Sequence, residues 1–171
     1  MEEETIIFDD FLPEDLCESM IEEYANKDQV DRTNRTHWSK QIVEGSNIVL
    51  VNDLDKKYAD VIFQIMAGQE LFKEMRKKSP LGALFYRWTP LSYIPPHQDD
   101  GIPYALTIHL NKKYIPNYGG LYLFKPSGRE NWVGVEPIYN RAVYAAGNGW
   151  HMVTPVTNDR DRLSIQVFSS E

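Results

Sequence analysis

Residues 104–110 read Tyr104-Ala105-Leu106-Thr107-Ile108-His109-Leu110. In an extended chain Leu106, Ile108 and Leu110 share one face and Ala105, Thr107 and His109 the other. That is the two-residue period of a strand with one face on a core. Short β-rich runs flank it at 83–88, 121–125, 132–135, 142–145 and 162–168. Turn-forming clusters separate them, notably Pro116-Asn117-Tyr118-Gly119-Gly120 and Gly147-Asn148-Gly149. The gaps are too short for helical crossovers, so the sheet is expected to be mainly antiparallel.

Towards the N-terminus the period changes. Pro13 suits a first helical position, Glu14 and Asp15 complement the positive helix end, and Leu16, Met20, Ile21 and Tyr24 follow at helical spacing. A second helix is expected from a cap at Asp53 towards Lys78, with Tyr58, Val61, Ile62, Ile65 and Met66 as its apolar stripe and Gly68 as a point of interruption. Residues 47–51 read as a short strand between them. Helices followed by many short strands predict an α+β domain whose sheet curls into a jelly roll. We read residues 1–171 as one domain, with a helical part at 1–80 and a jelly-roll core at 81–171.

Composition narrows the function classes. The 171 residues suffice for one sizeable core. Cys17 is the only cysteine, so no internal disulfide can form and nothing points to an oxidising compartment. The acidic start is the reverse of a signal peptide, and no apolar run approaches the ~18 residues of a membrane helix. These features predict a cytoplasmic protein without a membrane partner. The formal charge of −7 argues against a broad phosphate-binding surface, and so against nucleic acid.

Pro95-Pro96-His97-Gln98-Asp99 carries the first chemical signal. Side chains two apart on an extended segment point the same way, so His97 and Asp99 can meet one ion. The prolines fix φ and stiffen the approach. His151, just after the Gly147–Gly149 turn, can supply a second imidazole. Two histidines and one carboxylate on one face of an ion describe the triad of non-haem iron(II) oxygenases. The bland alternative is a loop histidine bonded to Asp99 or Asp100, and Asp100 also competes for the carboxylate role. Arg162 stands eleven positions after His151, and alternation puts Arg162, Ser164 and Gln166 on one strand face. A guanidinium with a hydroxyl two residues on can seat a carboxylate through a charge-assisted pair. A surface arginine paired with Asp159 or Asp161 is the alternative.

In this order the motifs resemble the 2-oxoglutarate/iron(II) dioxygenases, in particular the prolyl 4-hydroxylase-like branch. His97-x-Asp99, His151 and Arg162-x-Ser164 carry the resemblance, and so does Asp9-Asp10-Phe11-Leu12-Pro13-Glu14-Asp15-Leu16-Cys17 at the first helix. Leu110-Asn111 with Gly119-Gly120-Leu121, Val135-Glu136-Pro137 and His151-Met152-Val153-Thr154-Pro155-Val156 extend it across nearly the whole chain. The resemblance implies a double-stranded β-helix with N-terminal helices packed on its major sheet. It implies Fe(II) held by His97, Asp99 and His151, and 2-oxoglutarate held by Arg162 and Ser164. Where the branch has a tyrosine before its Leu-Asn this chain has His109, a candidate co-substrate contact or an exposed strand histidine. Another family tyrosine aligns with Trp88, with Tyr86 and Tyr93 nearby, so which of these lines the pocket stays open.

The implied activity is O2- and 2-oxoglutarate-dependent hydroxylation of an unactivated C–H bond, with ascorbate a further candidate cofactor. A prolyl peptide or proline-like substrate is expected, and a free amino acid or other small molecule is the alternative. Tyr93, Tyr118 and Trp150 are candidate substrate contacts, and His37 and Trp38 candidate lid residues. A zinc-type hydrolase and a non-catalytic jelly-roll binding module are the rivals from other classes.

Overall fold

The alternation at 104–110 becomes strand β6 (Tyr104–His109) of a seven-stranded sheet in the computed structural model, which describes residues 4–25, 27–28, 30–31, 45–77, 81–99 and 101–169. Across that major sheet lie β1 (Glu4–Phe8), β9 (Ala142–Ala146), β6, β11 (Arg162–Ser169), β4 (Leu81–Trp88), β3 (Val49–Asp53) and β2 (Val30–Asp31). A minor sheet runs β5 (Ile94–His97), β10 (His151–Val153), β7 (Tyr122–Phe124) and β8 (Val133–Val135). Every pairing is antiparallel. The two sheets form a jelly roll.

The two faces of the major sheet meet different surroundings. Phe85, Leu106, Ile108, Ile165 and Val167 point outward onto helices α1 (Glu14–Tyr24) and α2 (Lys56–Ala67), against Cys17, Met20, Tyr24, Ile62 and Met66. The opposite face, with Val51, Leu84, Tyr86, Trp88 and Val143, closes on Ile94, Tyr122, Val135 and Val153 of the minor sheet. Burial of the apolar stripe, at about 25 cal/mol per Å², is what holds the helices on the sheet.

Three local readings need revision. Residues Glu4-Thr5-Ile6-Ile7-Phe8 form an edge strand on β9, with Ile6 opposite Tyr144, so the N-terminal eighty residues add strands as well as helices. The strand expected at 47–51 lies at Val49–Asp53, and Asp53 still pairs with Leu84. The chain therefore leaves the sheet two residues later than expected, and the residue preceding α2 is Asp55, whose carbonyl accepts the N–H groups of Tyr58 and Ala59. Gly68 does end α2; a single 3₁₀ turn (Glu70–Phe72) and a short helix α3 (Lys73–Lys77) follow.

Asn140 fastens the segment before α1 to the turn before β9. It is buried, in the left-handed region at φ 58°, where asparagine is better tolerated than most residues. Its Oδ1 accepts the Leu12 N–H at 2.9 Å and its Nδ2 donates to the Leu12 carbonyl at 2.7 Å. Its own carbonyl accepts the Phe11 N–H. Among the described residues no helix is long and apolar enough to cross a membrane.

Candidate metal and carboxylate site

Strand pairing, not chain proximity, builds the metal cluster. β10 lies antiparallel to β5 with His151 directly opposite His97, and the two ring centroids are 4.3 Å apart. Asp99 follows two residues beyond His97. One ligand atom from each of His97, Asp99 and His151 lies within 4.8 Å of the others. Asp99 bridges the pair, Oδ1 3.5 Å from His97 Nε2 and Oδ2 3.3 Å from His151 Nε2.

The outer bonds of the imidazoles decide what the cluster wants. His97 Nδ1 is 2.8 Å from the Pro95 carbonyl and His151 Nδ1 is 3.0 Å from the Gly149 carbonyl. A carbonyl oxygen can only accept, so each Nδ1 carries the proton and donates it. In the neutral rings both Nε2 lone pairs then face carboxylate oxygens, an arrangement of acceptors that a cation among them satisfies. With no ion among them the rings can take a second proton at Nε2; burial disfavours the charge on Asp99, but hydrogen bonds from the His151 and His97 rings in that state outweigh it and hold the carboxyl well below its usual range. Two imidazole nitrogens and one carboxylate suit a divalent first-row metal.

Arg162 lies in the same interior, across the sheets and not beside β10. β11 is in the major sheet and β10 in the minor one, and the two sheets pack face to face. Arg162 is 4% exposed and has no carboxylate partner among the described residues; Asp161 instead pairs with Arg87 at 3.0 Å. Trp88 is opposite Arg162, Tyr86 opposite Ser164, and Ser164 opposite His109, so the register brings all five side chains to one patch. The guanidinium stacks over the Trp88 ring at 5.1 Å.

That patch is rich in donors and lacks an anion. Ser164 Oγ accepts from Trp88 Nε1 at 3.2 Å and from Arg162 Nη1 at 3.5 Å, which leaves its own proton free to donate. His109 is fully buried; burial first, then the charges of Arg162 and Arg141, hold its pKa well below the ordinary histidine value, so the ring is neutral. Its Nδ1 lies 3.4 Å from Arg162 Nη2, which assigns the lone pair there and the proton to Nε2. That Nε2 is buried with no protein partner. Burial pulls the Arg162 pKa down to about 9, still a cation at neutral pH. A carboxylate fits this seat. His109 is not an exposed strand histidine, and Arg162 is not a surface arginine.

Of the three candidate substrate residues, Tyr118 lines a solvent-open pocket together with Arg162, while Tyr93 and Trp150 precede the minor-sheet strands β5 and β10. Tyr93 has its hydroxyl near Gly45 and its N–H on Ser46 Oγ. Tyr118 is half-buried, edge-on to Tyr114 at 6.4 Å. Trp150 is 46% exposed, immediately before His151. Asp100, His37 and Trp38 lie outside the described residues. Two contributors escape a reading of the sequence. Tyr122 packs its ring 5.8 Å from that of His151, and burial, with Asp99 nearby, pushes its pKa up. Gly120, at φ 65°, lies so close to Arg162 that a Cβ would sit 2.7 Å from its Cδ. The Gly119-Gly120 pair was visible as a turn; its contact with Arg162 was not.

No protein-family model and no curated protein matches the sequence. Solved structures do match in shape. A prolyl-4-hydroxylase from Pseudomonas putida superposes with a TM-score of 0.74 at 17% identity, covering 98% of this chain and 92% of that one. A Trichoplax adhaerens prolyl hydroxylase, solved with a hypoxia inducible factor peptide fragment, gives 0.70 at 13% identity over 97% and 83%. HygX from Streptomyces hygroscopicus, solved with nickel and 2-oxoglutarate, gives 0.64 at 14% identity over 97% and 82%. The chain has the double-stranded β-helix fold of these oxygenases.

Proposed function

We propose that this protein is an Fe(II)- and 2-oxoglutarate-dependent oxygenase that hydroxylates an unactivated C–H bond, in a prolyl peptide or proline-like substrate. The observation that carries the reading is a buried, acid-free arginine in the same barrel interior as a His-Asp-His cluster. A hydrolytic zinc site has no need of that arginine.

In this reading His97, Asp99 and His151 hold the metal, with Nε2 as the donor atom of each imidazole. Bound iron would couple oxidative decarboxylation of 2-oxoglutarate to oxidation of the substrate C–H bond. The chain's own residues orient and shield. Arg162 pairs with the distal carboxylate of 2-oxoglutarate, Ser164 donates its free proton to it, and His109 offers its Nε2–H as the third donor. Trp88 fixes Ser164 and covers the guanidinium, and Tyr86 stacks on Trp88 at 6.0 Å, closing the seat to water. Asp99 would supply the one carboxylate donor of the set, and a smaller residue there would leave the metal with two histidines alone.

The prolyl assignment draws on the folds that match, two of which belong to prolyl hydroxylases. It also draws on the exposed indole of Trp150 beside His151, whose face suits a proline ring. Tyr93 and Tyr118 serve as outer contacts, and ascorbate as an auxiliary reductant. The buried lone thiol of Cys17 fits a cytoplasmic location.

Anaerobic titration with Fe(II) and 2-oxoglutarate tests the reading. The expected result is a visible metal-to-ligand charge-transfer band that requires both. Tight zinc binding with no 2-oxoglutarate response would support the hydrolase, and no metal binding the non-catalytic module. Succinate release against a panel of prolyl peptides and free amino acids then tests the substrate; response only to free amino acids would overturn the prolyl assignment.

A further inference from the structure

Strand β7 and the residues leading into it run between the two halves of the site. Gly120 lies against Arg162, and two residues on, at the same parity, stands Tyr122. The Tyr122 ring lies against His151, with the centroids 5.8 Å apart and the planes tilted by 33°. Register fixes this placement. Tyr122 is opposite Val153, and His151 is opposite Phe124, so the phenol is the diagonal neighbour of the histidine on one face of the minor sheet.

The hydroxyl at the end of that ring is unused by the protein. Tyr122 is buried in the cluster of Ile94, Val135, Val153 and Val156, and no described residue bonds its oxygen. Elsewhere buried tyrosines spend this group: Tyr24 accepts the Asp55 N–H and Tyr58 donates to Glu23. The oxygen is also not sealed in, as those of Tyr114 and Tyr139 are. A phenol is protonated at neutral pH, and burial pushes this one further up, so it offers a donor. Packing alone does not call for it. Phenylalanine would fill the same volume with no polar atom to desolvate.

We propose that Tyr122 is a further co-substrate contact, its hydroxyl donating to the metal-end carboxylate of 2-oxoglutarate while Arg162, Ser164 and His109 take the distal one. Its neighbours assign the end. Tyr122 packs on a metal-cluster histidine in the minor sheet, whereas the three distal donors lie across the interior on the major sheet. The contact rests on the oxygenase reading and deepens it, because it gives each end of the keto acid its own protein donor.

Anaerobic titrations of the Fe(II)-loaded protein, read by the charge-transfer band, test the contact. Two acids are compared: 2-oxoglutarate, and pyruvate, which keeps the metal-end keto acid and lacks the distal carboxylate. Tyr122→Phe removes one oxygen and keeps the ring on His151. It should raise the Kd of both acids by a similar factor, about tenfold, as expected for one lost hydrogen bond to a charged group. Fe(II) affinity measured without either acid should be unchanged, which also shows that the variant is folded. Loss of affinity for 2-oxoglutarate alone would put the hydroxyl at the distal end and overturn the assignment. Tyr122→Leu separates packing from bonding. If Tyr122→Phe binds both acids as the wild type does and only Tyr122→Leu is weakened, the ring acts by packing and the bond is overturned. A band present in the wild type and unaltered in Tyr122→Phe therefore sinks this contact alone. A wild type with no band sinks the oxygenase reading and the contact with it.

Discussion

One strand separates two kinds of interior. On β11, Ile165 and Val167 point to the helices and meet only apolar neighbours, whereas Arg162 and Ser164 point into the barrel and meet an arginine-sized problem in electrostatics. The outer face is satisfied by packing alone. The inner one buries a guanidinium, a hydroxyl and an imidazole whose donors exceed the acceptors the protein supplies. Unsatisfied buried polar groups cost about 1–3 kcal/mol each. The first face therefore stabilises the fold and the second weakens it, which is the expected signature of a site shaped for a ligand and not for the empty chain.

The contrast can be broken experimentally. The largest effect is expected at the cluster: Asp99→Ala should abolish succinate formation and metal binding together, and near-normal turnover would remove Asp99 from the ligand set. Next comes the outer face, where Ile165→Ala should lower unfolding free energy in urea by about 2–5 kcal/mol, the usual range for a fully buried aliphatic side chain. If the inner face were structural too, Arg162→Met would be as harmful. We expect instead a protein within about 1 kcal/mol of the wild type or more stable, because a buried charge is exchanged for an apolar chain. The same variant should lose the 2-oxoglutarate charge-transfer band while still binding metal.

The smallest effect is a pH dependence. The folded His109 pKa is depressed, so as pH falls through the unfolded value of about 6.5 the unfolded chain takes up a proton that the folded one refuses. Stability due to this group is complete above that pH and is lost below it. The groups facing it are the cations Arg162 and Arg141, which reinforce the sign. His109→Gln should flatten this part of the acid limb in urea titrations. An unchanged limb would show that His109 is protonated in the folded protein.

Some of this could be read before the fold was known. Alternation in 104–110 and 162–168 grouped the side chains by face correctly, because side-chain direction in a strand depends only on parity; which face looks into the barrel it could not say. His97 and Asp99 were likewise fixed by a spacing of two. What parity cannot give is pairing. The meeting of His151 with His97 depends on the β10–β5 register, and the burial of His109 depends on Ser164 lying opposite it. The edge strand at Glu4–Phe8 was hidden by its acidic start, and Asp53 was mistaken for a cap because nothing local reveals that β3 continues through it.

The Asn140 clamp has a consequence for how the chain is made. Its partner Leu12 lies 128 residues earlier, so the first helix leaves the ribosome long before the side chain that fastens it. At cellular synthesis rates the interval is roughly 6–26 s. Throughout it the greasy side of that helix, with Met20 and Tyr24, has no finished sheet to lie on. A nascent chain stalled before residue 140 should therefore be a client for holdase chaperones, and release from them should coincide with the emergence of the last fifth of the polypeptide.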